Sequence, residues 1–104
     1  MITCCVEYDV SPAKLAEFER YAKLWMELVP RFGGTHHGYF LPSEGDSHRA
    51  LCLFSFPSFA AYEQYRIAAA ADPDCQAAIR FGVETGTLGR YKRSFFRPLL
   101  PESS

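Results

Sequence analysis

The stretch RFGGTHHGYFLP, Arg31 to Pro42, sets two histidines side by side after a glycine pair. An imidazole titrates near neutrality, so one histidine in a cleft can act as a general base or a haem ligand; a hydrogen-bonded structural histidine is the bland alternative. Successive strand residues project to opposite faces, so His36 and His37 cannot jointly hold one ion without a bulge. A strand-borne metal pair needs His-x-His, and regular alternation here matches His36 with Gly38 and His37 with Tyr39. One histidine is therefore expected at a helix-side cleft and the other on the opposite face, with Tyr39 as a secondary helper. His48 lies in a polar loop and reads as solvated.

The remaining candidates carry weaker signals. Cys4, Cys5, Cys52 and Cys75 show no C-x-x-C spacing and read as small buried thiols, so neither a metal nor another cofactor is expected. Gly33-Gly34 follows a helical pattern instead of opening one, which marks a helix stop and not a phosphate cradle. Trp25 sits on the apolar seam of that helix; it reads as core, or as one wall of an apolar pocket whose indole N–H orients a ligand. Glu7 and Arg93 fall on strands expected to be neighbours. A charge inside the fold needs a partner, so a Glu7–Arg93 pair is read either as an interface ion pair or as a carboxylate and guanidinium positioning an acidic or quinone-like ligand.

The elements that must position these groups are legible from period and punctuation. Ile2 to Val10 alternates, with Ile2, Cys4, Val6 and Tyr8 on one face and Thr3, Cys5 and Glu7 on the other, as a strand does. Ser11-Pro12 is a cap-plus-proline signal, after which Leu15, Phe18, Ala22, Trp25, Val29 and Phe32 recur at steps of three and four. Pro30 is expected to kink or fray the last turn. Thr35–Leu41 and Arg49–Phe56 read as a hairpin across a turn-rich segment. Ser58 caps a helix through Ala71, Asp72-Pro73 restarts one to about Val83, and Leu88–Arg97 is the last strand before a tail, Pro98–Ser104.

The order is β-α-β-β-α-β in one domain over residues 1–104. It predicts an α+β, ferredoxin-like four-stranded antiparallel sheet with its helices on one face. Strand three offers Cys52, Phe54 and Phe56 to one side and Leu51 and Leu53 to the other; strand four offers Tyr91 and Phe95 to one side, Leu88 and Phe96 to the other. Helices cover only one face. The second is expected to meet another copy of the chain, giving a homodimer.

Composition narrows the function classes. With 104 residues, a net charge of -1 and a pI near 6.3, the chain has no basic footprint for nucleic acid. It has no apolar run of about 20 residues for a membrane span, and its N-terminus has no signal or transit pattern. A cytoplasmic setting with reduced cysteines is expected.

RFGGTHHGYFLPSEG, LFSFPSFAAYEQYR, DPDCQAA and YKRSFFRP, in this order and spacing, resemble the NIPSNAP family over nearly the whole chain. The resemblance implies similarity to dimeric α/β-barrel proteins, in which two ferredoxin-like sheets pack face to face. That wider superfamily includes cofactor-independent monooxygenases, haem-degrading enzymes and an isomerase, whereas NIPSNAP domains lack an agreed reaction. Two readings follow. One is a homodimeric enzyme of the monooxygenase or isomerase kind with an apolar cleft for a flat organic substrate, using His36, His37 or Tyr39 for proton transfer and Trp25, Glu7 and Arg93 to hold the ligand. The other is a noncatalytic dimeric module binding a ligand or a protein.

Overall fold

In the computed structural model, which describes residues 1–101, period-two alternation produces strand β1, Ile2–Asp9, with every second side chain buried. A short 3-10 turn at Pro12–Lys14 leads into helix α1, Leu15–Arg31. Phe18, Ala22 and Val29 of the expected seam are buried, and Tyr21 and Leu28 join them. Pro30 stays inside the last turn. The stop is made by Gly33, whose φ of 90° suits glycine. Its N–H bonds back to the Pro30 carbonyl, and that of Gly34 to Val29.

Strands β2, Thr35–Phe40, and β3, Arg49–Phe56, form the hairpin. Helix α2, Phe59–Ala71, is capped by Ser58, whose hydroxyl accepts from the Ala61 N–H at 3.1 Å. Helix α3, Pro73–Glu84, is capped by Asp72, which accepts from the Cys75 N–H at 2.9 Å, with Pro73 opening the first turn. Strand β4 is Tyr91–Phe96. It is shorter than the sequence suggested, because the N–H groups of Thr87 and Leu88 both bond to the Gly82 carbonyl. That holds Leu88 against the end of α3, where it packs on the core instead of facing away from it. Pro98 to Pro101 carry no helix or strand, and residues 102–104 of the expected tail lie outside the described residues.

The strand order is β2-β3-β1-β4, antiparallel throughout, as a ferredoxin-like fold requires. Cys4, Val6, Tyr8, Cys52, Phe54 and Phe56 make the buried face of the sheet, under α1 and α2. Burying a large apolar side chain contributes about 1.5–3 kcal/mol, so this layer supplies most of the driving force for folding. The opposite face carries Cys5, Leu51 and Leu53, with Phe40 and Phe96 51% and 56% exposed. Among the described residues, no helix is long and apolar enough to cross a membrane.

Candidate functional site

The β2–β3 register runs Thr35 to Ser55 and His36 to Phe54, then slips so that Gly38 meets Leu53 and Tyr39 meets Cys52. His37 is the extra residue of a β-bulge, and Gly38 at φ 105° supplies the backbone turn that ordinary residues resist. The bulge overturns the pairing expected from strict alternation. His36 and Tyr39 point to the same, helix-covered face, their rings stacked with centroids 5.2 Å apart. His37 goes to the other face, so the two histidines do occupy two environments.

His36 and Tyr39 line a cleft of about 270 Å³ between the sheet and the helices, walled by Tyr8, Phe54, Trp25, Tyr62 and Tyr65. Benzene occupies an apolar cavity of roughly 150 Å³, so this space suits a two-ring molecule. Among the described residues, two buried side-chain nitrogens have no hydrogen-bond partner, Trp25 Nε1 and His36 Nε2. Both belong to cleft residues. Tyr21 sits beside the indole, with ring centroids 6.4 Å apart, close enough for Trp25 to oppose the effect of burial on the Tyr21 hydroxyl, although no hydrogen bond of normal geometry joins them.

The protonation of His36 follows from its other nitrogen. The Gly38 N–H donates to His36 Nδ1 at 2.9 Å, and a backbone N–H can only donate. Burial, reinforced by neighbouring His37, pulls the His36 pKa down from 6.5 to about 4. The ring is therefore neutral near pH 7 and carries its proton on Nε2. In this form Nε2 has no free lone pair, so it is a hydrogen-bond donor and neither a base nor an iron ligand. A metal-ligating histidine ordinarily donates from its second nitrogen, and here that nitrogen accepts. Among the described residues no group of three or more His, Cys, Asp or Glu side chains could hold a metal.

Other reactive groups around the cleft are held neutral. Burial raises the pKa of Tyr8, Tyr39 and Tyr65 and pushes Tyr21 up to about 12. Burial likewise drives Cys4 and Cys52 up to about 12, so no thiolate is available there. All four cysteines are free, and Cys4, Cys52 and Cys75 are buried.

The expected Glu7–Arg93 pair does not form. The β1–β4 register sets Arg93 against Val6 and Lys92 against Glu7, which sends Arg93 to the cleft face and Glu7 to the opposite one. Glu7 instead pairs with Arg49 across the β1–β3 ladder. Arg93 donates to the Tyr62 hydroxyl at 3.2 Å, and Arg66 donates to the same oxygen at 3.0 Å. On the outer face His37 Nε2 lies 2.7 Å from Ser55 Oγ, which lies 2.7 Å from Thr3 Oγ1.

The structure thus brings Trp25, His36, Tyr39 and Arg93 to one cleft and leaves His37 and Glu7 outside it. Sequence reasoning missed Tyr62, Tyr65 and Arg66. Their spacing with Ala69, at i, i+3, i+4 and i+7 along α2, was a visible signal, but any core-facing helix shows the same one.

A NIPSNAP family model matches residues 5–101, and the chain belongs to the NIPSNAP family. No curated protein matches it by sequence. Its fold is similar to that of an uncharacterised NIPSNAP domain protein from Burkholderia xenovorans, at 18% identity and a TM-score of 0.82 over 98% of this chain and 100% of that one. A protein from Agrobacterium tumefaciens is similar at 15% identity and a TM-score of 0.82, over 95% and 94% of the two chains. A candidate antibiotic biosynthesis monooxygenase from Nitrosomonas europaea is similar at 13% identity and a TM-score of 0.73, over 96% and 100%. At such identities the likeness is one of fold.

Proposed function

We propose that this chain works as a homodimer, joined through the open face of its sheet, in which each subunit binds a flat two-ring molecule oxygen-first in the inner cleft. The reaction class that suits the cleft is cofactor-independent oxygenation or isomerisation of a phenolic or enolisable ring. A phenol or enol that gives up its proton to solvent on entering the cleft carries negative charge on its ring oxygen, and the N–H groups of Trp25 and His36 hold that oxygen. Donors fixed in an apolar site and aimed at developing charge are a strong source of rate enhancement. His36 thereby acts as an electrophile and not as a base, a role open to a neutral imidazole whose pKa is low.

One observation carries the reading: Trp25 and His36, two residues that line the aromatic cleft, each hold a buried ring nitrogen that has no acceptor among the described residues. Leaving such a donor unpaired costs about 1–3 kcal/mol, a penalty that an oxygen-bearing ligand relieves. The homodimer rests on Leu51 and Leu53 together with the exposed Phe40 and Phe96, an apolar surface that a second copy would bury.

The alternative, a noncatalytic binding module, is favoured by a specific feature: Nδ1 of His36 is engaged by Gly38, so the histidine offers no lone pair to take the substrate proton. The test is binding of 1,4-naphthoquinone against naphthalene, followed by an assay of the reduced hydroquinone for oxygen consumption. The quinone should bind at least about tenfold tighter than the hydrocarbon, a margin of about 1.4 kcal/mol that vanishes in Trp25→Phe with His36→Phe. Equal binding of the two sinks the reading. Tight quinone binding without oxygen consumption or isomerisation of any hydroxylated relative favours the module.

A further inference from the structure

Arg66 and Arg93 carry a consequence for the ligand that the inner donors alone do not. Arg66 comes from α2 and Arg93 from β4, yet both donate to the single hydroxyl oxygen of Tyr62. Among the described residues the ion pairs are Arg31 with Asp72 and Asp74, and Arg49 with Glu7. Among the described residues, neither Arg66 nor Arg93 meets a carboxylate. Both side chains are exposed, so solvent screens their repulsion, and two guanidiniums held on one oxygen offer an anion two charged donors at once.

The hydrogen-bond inventory points the same way. A phenol oxygen has two lone pairs, and here both are taken by the arginines, so the Tyr62 O–H proton is free to donate. The polar groups tied to this end of the cleft are then all donors: Tyr62 O–H, Arg66 and Arg93. At the inner end Trp25 Nε1–H and His36 Nε2–H are donors too. The ends are close, since the Phe54 ring lies 5.9 Å from that of His36 and 6.4 Å from that of Tyr62. The positive field of Arg66 also reaches inward, where it opposes the effect of burial on Cys4 and Tyr62.

We infer that the ligand is an aromatic acid, with a ring oxygen at Trp25 and His36 and a carboxylate at the rim held by Arg66, Arg93 and the Tyr62 hydroxyl. This rests on the cleft reading above and narrows it to an anionic substrate class. A ring pair bridges the two ends across Phe54, and the planar fork of arginine matches a carboxylate better than it matches a neutral group. The Tyr62 ring, 5.9 Å from the Arg66 guanidinium carbon, keeps that side chain near its place before the ligand arrives.

The test measures binding of 2-naphthoate, its neutral isostere 2-naphthamide, and 1,4-naphthoquinone to the purified protein. Naphthoate should bind at least about tenfold tighter than the amide, equivalent to about 1.4 kcal/mol. The margin should shrink as salt rises, because the rim is exposed to solvent. It should disappear in Arg66→Gln with Arg93→Gln and survive in part in the corresponding lysine variants, all of which should weaken naphthoquinone, an uncharged ligand, less than they weaken naphthoate. If naphthoquinone binds but naphthoate and amide are equal, or if the preference survives the double glutamine variant, the acid inference fails while the cleft reading stands. If none of the three binds, both fail.

Discussion

The two faces of the sheet treat their polar groups in opposite ways. On the outer face they satisfy one another: Thr3, Ser55 and His37 form a hydrogen-bonded chain, and Glu7 pairs with Arg49. On the inner face, among the described residues, the buried Trp25 Nε1 and His36 Nε2 are left without acceptors, and at its exposed rim Arg66 and Arg93 meet no carboxylate. A protein can tolerate an unsatisfied polar group where something else satisfies it during function. On the proposed reading, the contrast separates a face whose polar groups satisfy one another from the face that takes the ligand, although both carry histidine and both lie on the same strands. It also separates His36 from His37, adjacent in sequence and divided by the bulge.

The contrast breaks first at the outer face. Leu53 sits in its middle, opposite Cys5, and if that face joins two copies, Leu53→Asp buries a charge without a partner. The expected effect is at least about 100-fold weaker self-association, about 2.7 kcal/mol. Light scattering reads it as a change from twice the 11.8 kDa chain mass to a single chain. Naphthoquinone should still bind the variant, since Leu53 points away from the cleft. A wild-type protein that is monomeric at micromolar concentration removes the dimer from the account.

A smaller effect sharpens the inner side. His36 has a folded pKa of about 4 against 6.5 when unfolded, because burial disfavours the charged ring. Between these values the unfolded chain takes up a proton that the native chain refuses, so its contribution is full above pH 6.5 and is lost as pH falls towards 4. After discounting for solvent screening of a half-buried ring, the loss is on the order of 1–2 kcal/mol. Denaturant unfolding across that window should show a slope that flattens in His36→Asn. An identical slope in the variant would mean that the ring is not held neutral.

How much of this contrast the sequence reveals depends on the kind of signal. Alternation in Ile2–Asp9, the three-and-four spacing of Leu15 to Phe32 and the caps at Ser58 and Asp72 each act within a few residues, and they forecast β1, α1, α2 and α3 closely. The bulge at His37 was hidden because alternation is the very rule that a bulge suspends; Gly38 within the strand was its one local sign. The Glu7–Arg93 pairing failed for a related reason. Register between distant strands is fixed by the packing of the whole sheet, and a slip of one residue exchanges the faces. Trp25 reads as core or as a candidate pocket wall, and it lines the cleft, yet nothing in its neighbours forecasts that its N–H lacks an acceptor among the described residues.

The smallest effects test the two faces side by side. Ser55→Ala removes the centre of the outer hydrogen-bond chain, where Ser55 is 3% exposed, and should cost about 1 kcal/mol with ligand affinity unchanged. Trp25→Phe removes a donor that has no partner of normal geometry among the described residues. It should leave the stability of the ligand-free protein within about 1 kcal/mol of wild type, since losing the unpaired donor offsets the lost indole volume, while weakening quinone binding. If Ser55→Ala weakened quinone binding and Trp25→Phe did not, the assignment of the two faces would be reversed.

The central claim, that the Trp25 and His36 N–H groups hold a ligand oxygen, is tested most directly by the infrared carbonyl stretch of bound 1,4-naphthoquinone. Hydrogen bonds from two fixed donors weaken that C=O bond, so the band should move to lower frequency than in an apolar solvent. It should return part of the way in Trp25→Phe and fully when His36→Phe is added. A bound quinone whose band matches the apolar solvent, or does not respond to either substitution, would contradict the account.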